Sequence, residues 1–89
     1  MQTRHTYRSK YFQEQEHTTR KYVIPFIEQF REVSATLRVI EIGCGEGGNL
    51  IPFLDAGCKV TGIDLSRHKI DLAESFLANH PLRNNLTLL

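Results

Sequence analysis

Val39-Ile40-Glu41-Ile42-Gly43-Cys44-Gly45-Glu46-Gly47-Gly48 decides how this chain folds. The apolar, β-branched run from Leu37 to Ile42 (LRVIEI) ends at a glycine and suits a buried strand. The glycines that follow have separate tasks. Gly43 lets the chain leave the strand in a tight turn, and Gly45 lets backbone approach a ligand with no Cβ in the way. Gly47 or Gly48 permits close packing where the next helix begins. Asp64 lies 21 residues after Gly43, at the tip of the next strand. A carboxylate there can accept hydrogen bonds from ribose hydroxyls.

Downstream, Asn49 to Ala56 reads as a short helix with Pro52 near its first turn, where proline is tolerated. Gly57 fits the left-handed position after a helix end. Cys58 to Ile63 is a second strand. Ser66 is a good N-cap for a further helix, whose buried face carries Ile70, Ala73, Phe76 and Leu77 and which Pro81 stops. Leu86 to Leu89 begins a third strand. Upstream, residues 1–9 are polar and read as loose. From about Lys10 the pattern turns helical, with Tyr22, Val23, Phe26, Ile27, Phe30 and Val33 on one apolar face. Pro25 interrupts that face, so a kink or a restart of the helix is expected there. Ser34-Ala35-Thr36 is a connection.

Helix, strand, helix, strand, helix, strand implies parallel strands with right-handed crossovers. The expected fold is therefore α/β, the first half of a doubly wound parallel sheet preceded by an N-terminal helical cap. The cap takes residues 1–36 and the partial sheet domain residues 37–89.

Two ligand classes share this layout. Gly43, Gly45 and Gly48 satisfy the dinucleotide spacing G-x-G-x-x-G, while Gly43, Gly45 and Gly47 satisfy G-x-G-x-G. Glu41 separates them. A dinucleotide site presents helix N–H groups to a pyrophosphate. A carboxylate close by repels that anion by roughly 1–4 kcal/mol at contact. S-adenosylmethionine carries a sulfonium and an ammonium instead, and Glu41 suits both.

VIEIGCGEGGNL followed by VTGIDLS resembles motif I and the post-I motif of class I, Rossmann-like S-adenosylmethionine-dependent methyltransferases, within the small-molecule group that includes quinone-biosynthesis enzymes. The likeness covers about residues 37–79. It implies S-adenosylmethionine as cofactor, with Glu41 and the turn Gly43, Cys44, Gly45 and Gly47 at its methionine end. It also implies that Asp64 holds the ribose and that Leu65 packs against adenine. The family's acid after the third strand and its catalytic loop would lie beyond Leu89, which leaves the acceptor and the catalytic residues unassigned. The resemblance implies methyl transfer to a small-molecule substrate. A nicotinamide-dinucleotide oxidoreductase segment and a non-catalytic cofactor-binding module stay open as alternatives.

Composition sets wider bounds. Hydrophobic residues make up 40% and charged residues 24% of the 89, in the globular range. The formal net charge of +1 gives no reason to expect nucleic acid. Residues 1–38 hold 7 Lys/Arg against 4 acids and residues 39–89 hold 4 against 6. The basic arm reads as a solvated helix face. No signal peptide or membrane-length apolar run is visible, so a cytoplasmic protein with reduced thiols is expected. Cys44 and Cys58 have no metal-ligand spacing, and Cys44 reads as a small turn residue. His5, His17, His68 and His80 are assigned to the surface. Tyr11, His17 and Arg20 could reach over the cofactor or simply face solvent. Two strands and the start of a third leave Leu86–Leu89 as a bare apolar edge through which copies could associate.

Overall fold

The computed structural model describes residues 2–89, with side chains from Lys10 onward. Its strands β1 (Arg38–Ile42), β2 (Lys59–Ile63) and β3 (Leu86–Leu88) form one parallel sheet in the order β1-β2-β3. β1 and β2 each begin one residue later than the apolar runs suggest. Leu89 lies beyond β3, although its N–H still donates to the Gly62 carbonyl at 3.0 Å.

Register explains which residues the sheet buries. Val39 pairs with Val60 and Val60 with Leu86, while Ile42 pairs with Ile63. Side chains alternate along a strand, so Val39, Glu41, Val60, Gly62, Leu86 and Leu88 share one face. There Val60 and Leu86 are buried. On the opposite face Ile40 is 66% and Ile42 83% exposed. The expected bare edge at Leu86–Leu89 is thus only partly present. Leu86 is buried and Leu88 half-buried, and the larger apolar exposure lies on a sheet face at β1.

The N-terminal segment is more regular than its composition suggests. Helix α1 runs Gln2–Thr18, so the backbone of residues 2–9 is helical rather than loose. A π turn, Thr19–Val23, follows, and α2 (Ile24–Glu28) resumes with Pro25 in its first turn. Proline lacks an N–H, and in an α-helix its ring crowds the carbonyl four residues back. The Ile24 N–H bonds to the Thr19 carbonyl five residues back, a wider turn that ends just before the proline.

The expected apolar face divides in two. Phe26 stands roughly 100° around the helix from Ile27. Tyr22, Phe26 and Phe30 are exposed, and α2 ends at Glu28 instead of continuing to Val33. Ile24 and Ile27 still pack on the core, and Val33 is buried in it from outside the helix.

A 3-10 turn, Gly48–Leu50, leads into α3 (Ile51–Asp55) with Pro52 in its first turn. Helix α4 (Arg67–Leu77) starts at Ser66, whose Oγ accepts the Lys69 N–H at 3.3 Å. Its Ile70, Ala73 and Leu77 are buried. Phe76, expected beside them, is 44% exposed and rests on the Phe12 ring at 5.1 Å. It stands roughly 100° around the helix from Leu77, off the buried stripe. Leu50, Leu54, Val60, Ile70 and Leu77 form the centre of the core.

His80 also departs from its surface assignment. Its side chain is 11% exposed, with Nε2 2.7 Å from Asp55 and Nδ1 accepting the Leu82 N–H at 2.9 Å. Arg20 reaches the other Asp55 oxygen at 2.9 Å, which joins the helical segment, α3 and the end of α4. His17 and His68 are exposed, and the side chain of His5 lies outside the described residues. Among the described residues no helix is long and apolar enough to cross a membrane. No group of three or more potential metal-binding side chains occurs among them either.

Candidate functional site

The glycine turn is fastened to the neighbouring strand before any ligand is considered. The N–H groups of Gly43 and Cys44 both donate to the Ile63 carbonyl, at 2.6 and 3.0 Å. Gly43, Gly45 and Gly47 have φ of 79°, 56° and 91°, left-handed values that L side chains rarely adopt. The left-handed positions therefore follow the G-x-G-x-G spacing. Gly48 has a different task. A Cβ on it would meet the Phe12 carbonyl at 2.7 Å, so α1 can pack on the turn only because no side chain is there.

Asp64 bridges the two strand ends. Its Oδ2 accepts the Gly45 N–H at 2.8 Å and its Oδ1 the Ser66 N–H at 2.8 Å. The Ser66 amide first, and then the Gly45 amide, hold the carboxyl below its ordinary range. Each oxygen keeps a further lone pair for another donor. Beside this carboxylate opens a cavity of about 240 Å³. Gly43–Glu46, Asp64 and Lys69 line it, together with Tyr11 and Gln15 of α1.

Glu41 is held differently. Its Oε2 accepts the Asn49 Nδ2–H at 3.0 Å, and Asn49 Oδ1 accepts the Thr19 hydroxyl at 2.8 Å. Its Oε1 is buried with no hydrogen-bond partner among the described residues. Burial pushes this carboxyl up, and the Asn49 amide partly offsets the shift. Cys44 is 2% exposed and packs toward β2, since a Cβ on Gly62 would sit 2.9 Å from its Sγ. Burial first, and then the charges of Glu41 and Asp64, push the Cys44 thiol up. It is a buried acid, not a ready nucleophile.

Of the residues singled out in the sequence, Gly43, Cys44, Gly45 and Asp64 meet around the cavity. Glu41 and Gly47 do not line it, and Leu65 is fully exposed outside it. Of the three helix residues that could reach over it, Tyr11 does. Arg20 is drawn away to Glu16 and Asp55, and His17 borders a separate depression. Gln15, Glu46 and Lys69 were missed. Gln15 stands one helical turn after Tyr11, which was a usable signal. Lys69 lies in the first turn of the helix after Asp64, and nothing local marks its direction.

A methyltransferase-domain family profile matches residues 12–87. The chain belongs to that methyltransferase-domain family. Solved structures agree. A glycopeptide N-methyltransferase, MtfA, complexed with S-adenosylmethionine is 33% identical with a TM-score of 0.62, over 73% of this chain and 28% of that one. A second structure of the same enzyme gives 30% identity and 0.66, over 84% and 31%. PKMT2 from Rickettsia typhi, in complex with AdoHcy, gives 34% and 0.54, over 61% and 11%. The chain thus spans less than a third of the length of each of these proteins. No match was found among curated protein sequences.

Proposed function

We propose that this protein is an S-adenosylmethionine-dependent methyltransferase and that residues 37–89 carry its cofactor site under a cap formed by residues 1–36. The observation behind this reading is the Glu41 Oε1, a buried carboxylate oxygen beside a glycine turn with no hydrogen-bond partner among the described residues. An ionised oxygen of this kind is costly to bury unless a cation or a hydrogen-bond donor approaches it. It favours a ligand with positive charge and disfavours a pyrophosphate. The methyltransferase family match and the likeness to enzymes crystallised with S-adenosylmethionine or its demethylated product support the same choice.

When bound, the cofactor supplies a methyl group activated on a sulfonium. The chain's own residues bind and orient it. Asp64 offers lone pairs to the ribose hydroxyls, and the Gly43–Gly47 turn gives close backbone approach at the methionine end. Glu41 supplies negative charge, and Leu65 is the adenine contact that the family likeness suggests. The acceptor is read as a small molecule, on the likeness to that group of enzymes. No residue is assigned to its activation. Two free, buried cysteines are in keeping with a cytoplasmic protein. The uncovered Ile40 and Ile42 are in keeping with self-association.

The test is calorimetry on the full-length protein with S-adenosylmethionine, S-adenosylhomocysteine and NAD, followed by a methyl-transfer assay. Binding of the first two and not the third is expected. Tighter binding of NAD would overturn the reading in favour of an oxidoreductase.

A further inference from the structure

Thr19 is the one polar residue among the buried ones described, at 3% exposure, and it opens the π turn. A threonine in a helix usually returns its hydroxyl to a carbonyl of the preceding turn. Here the hydroxyl crosses to Asn49 Oδ1 at 2.8 Å, thirty residues away. Asn49 therefore presents its amide N–H to Glu41 Oε2 at 3.0 Å. The chain Thr19–Asn49–Glu41 runs from the N-terminal helix to the carboxylate of β1, and its end is Oε1, which has no hydrogen-bond partner among the described residues.

Each link has one direction. The Thr19 hydroxyl can donate to Asn49 Oδ1, which fixes which end of the amide faces Glu41. If the amide turned over, two oxygens would oppose each other across that 3.0 Å contact. With Oε2 engaged, Glu41 has one oxygen left for a ligand. Among the described groups with which Glu41 interacts, Asn49 is uncharged, and Cys44 carries a thiol that Glu41's charge pushes up.

We infer that Thr19 and Asn49 are positioning residues that orient Glu41 toward the amino-acid end of the cofactor, so that seating of the N-terminal helix and recognition of that cation are coupled. The inference rests on the cofactor reading above. It adds that the helical segment contributes to affinity through Thr19, without requiring it to touch the ligand.

The experiment measures two ligands against the full-length protein. S-adenosylhomocysteine keeps the amino-acid ammonium, and 5′-methylthioadenosine lacks it. Thr19→Val keeps shape and removes the hydroxyl. It should weaken S-adenosylhomocysteine by up to about tenfold, the upper end of the scale of a hydrogen bond between neutral groups, and leave 5′-methylthioadenosine unchanged. Thr19→Ser should restore wild-type affinity. In Asn49→Ala the carboxylate loses the amide that favours its ionised form. The loss of S-adenosylhomocysteine affinity on acidification should then begin at higher pH than in wild type. Equal losses for both ligands, or an unmoved pH profile in Asn49→Ala, would overturn the relay. Failure of the wild-type protein to bind S-adenosylhomocysteine at all would instead overturn the cofactor reading.

Discussion

Gly48 and the Phe12 carbonyl are in such close approach that a single added carbon would come within 2.7 Å of that oxygen. The Gln15 Oε1 would lie at 2.8 Å. Helix α1 and the glycine turn therefore meet across backbone. Gly48→Ala should push α1 off the turn and cost about 1–3 kcal/mol, the usual penalty for overpacking. Denaturant unfolding measures this, and an unchanged midpoint would mean that the helix shifts without loss. Cofactor affinity should fall in the same variant, because Tyr11 and Gln15 line the cavity from α1.

Gly62 is a second such contact, inside the sheet. A Cβ there would meet Cys44 Sγ and Leu50 Cδ1, both at 2.9 Å. Gly62→Ala should destabilise by about 1–3 kcal/mol. Adding Cys44→Gly removes one of the clashing atoms, so the double variant should lose less than the sum of its parts in a thermodynamic cycle. Strict additivity would show that the thiol is not the obstacle.

Asp64 should give the fold an acid-sensitive element. Its carboxyl is held below the ordinary range by the Ser66 and Gly45 amides. A depressed carboxyl contributes stability above its unfolded value of about 3.9, and loses it as pH falls through the lower folded value. Asp64→Asn should flatten that acid limb in a series of unfolding curves. It should also weaken S-adenosylhomocysteine by about tenfold or more, since ribose hydroxyls would lose an ionised acceptor. Unchanged affinity would remove Asp64 from the site.

Glu41 should behave in the opposite sense. Burial raises its carboxyl in the folded chain. The stability it contributes is complete below the unfolded value of about 4.3 and is lost as pH rises through the folded value. At neutral pH, Glu41→Gln should therefore leave the free protein as stable or more stable while weakening S-adenosylmethionine binding. A less stable variant with unaltered binding would make Glu41 purely structural.

Ile40 and Ile42 stand on the uncovered face of β1. Threonine keeps the β-branched shape that suits a strand and reduces the apolar area. Ile40→Thr with Ile42→Thr should reduce any concentration-dependent association of residues 1–89 in analytical ultracentrifugation. Identical behaviour of the two chains would rule that face out as the contact.

Much of the site was legible because its signals are local. Glu41, the alternating glycines and Asp64 fix strand, turn and strand end within a short stretch of chain, and Ser66 marks the next helix start. The N-terminal face was misread for a reason that composition cannot show. Phe26 stands roughly 100° around the helix from Ile27, and the spacing alone does not say which of the two sides meets the core. Lys69 was missed because its place around the cavity depends on how α4 packs, which no spacing encodes, whereas Gln15 follows Tyr11 by one helical turn. Thr19 looked like any helix residue until its partner thirty positions away came into contact.

The two cysteines give the chain an internal clock. Cys44 sits in the glycine turn at 2% exposure and Cys58 just ahead of β2 at 0%, so neither thiol can meet a reagent without some opening of the structure. Local openings expose one region at a time, and global unfolding exposes both. Cys44 should be labelled whenever the turn lifts from β2, whereas Cys58 waits for the sheet to separate from α3. Pulse labelling at single-cysteine variants would then time two motions of one small fold. A ligand seated against the turn should slow the first much more than the second.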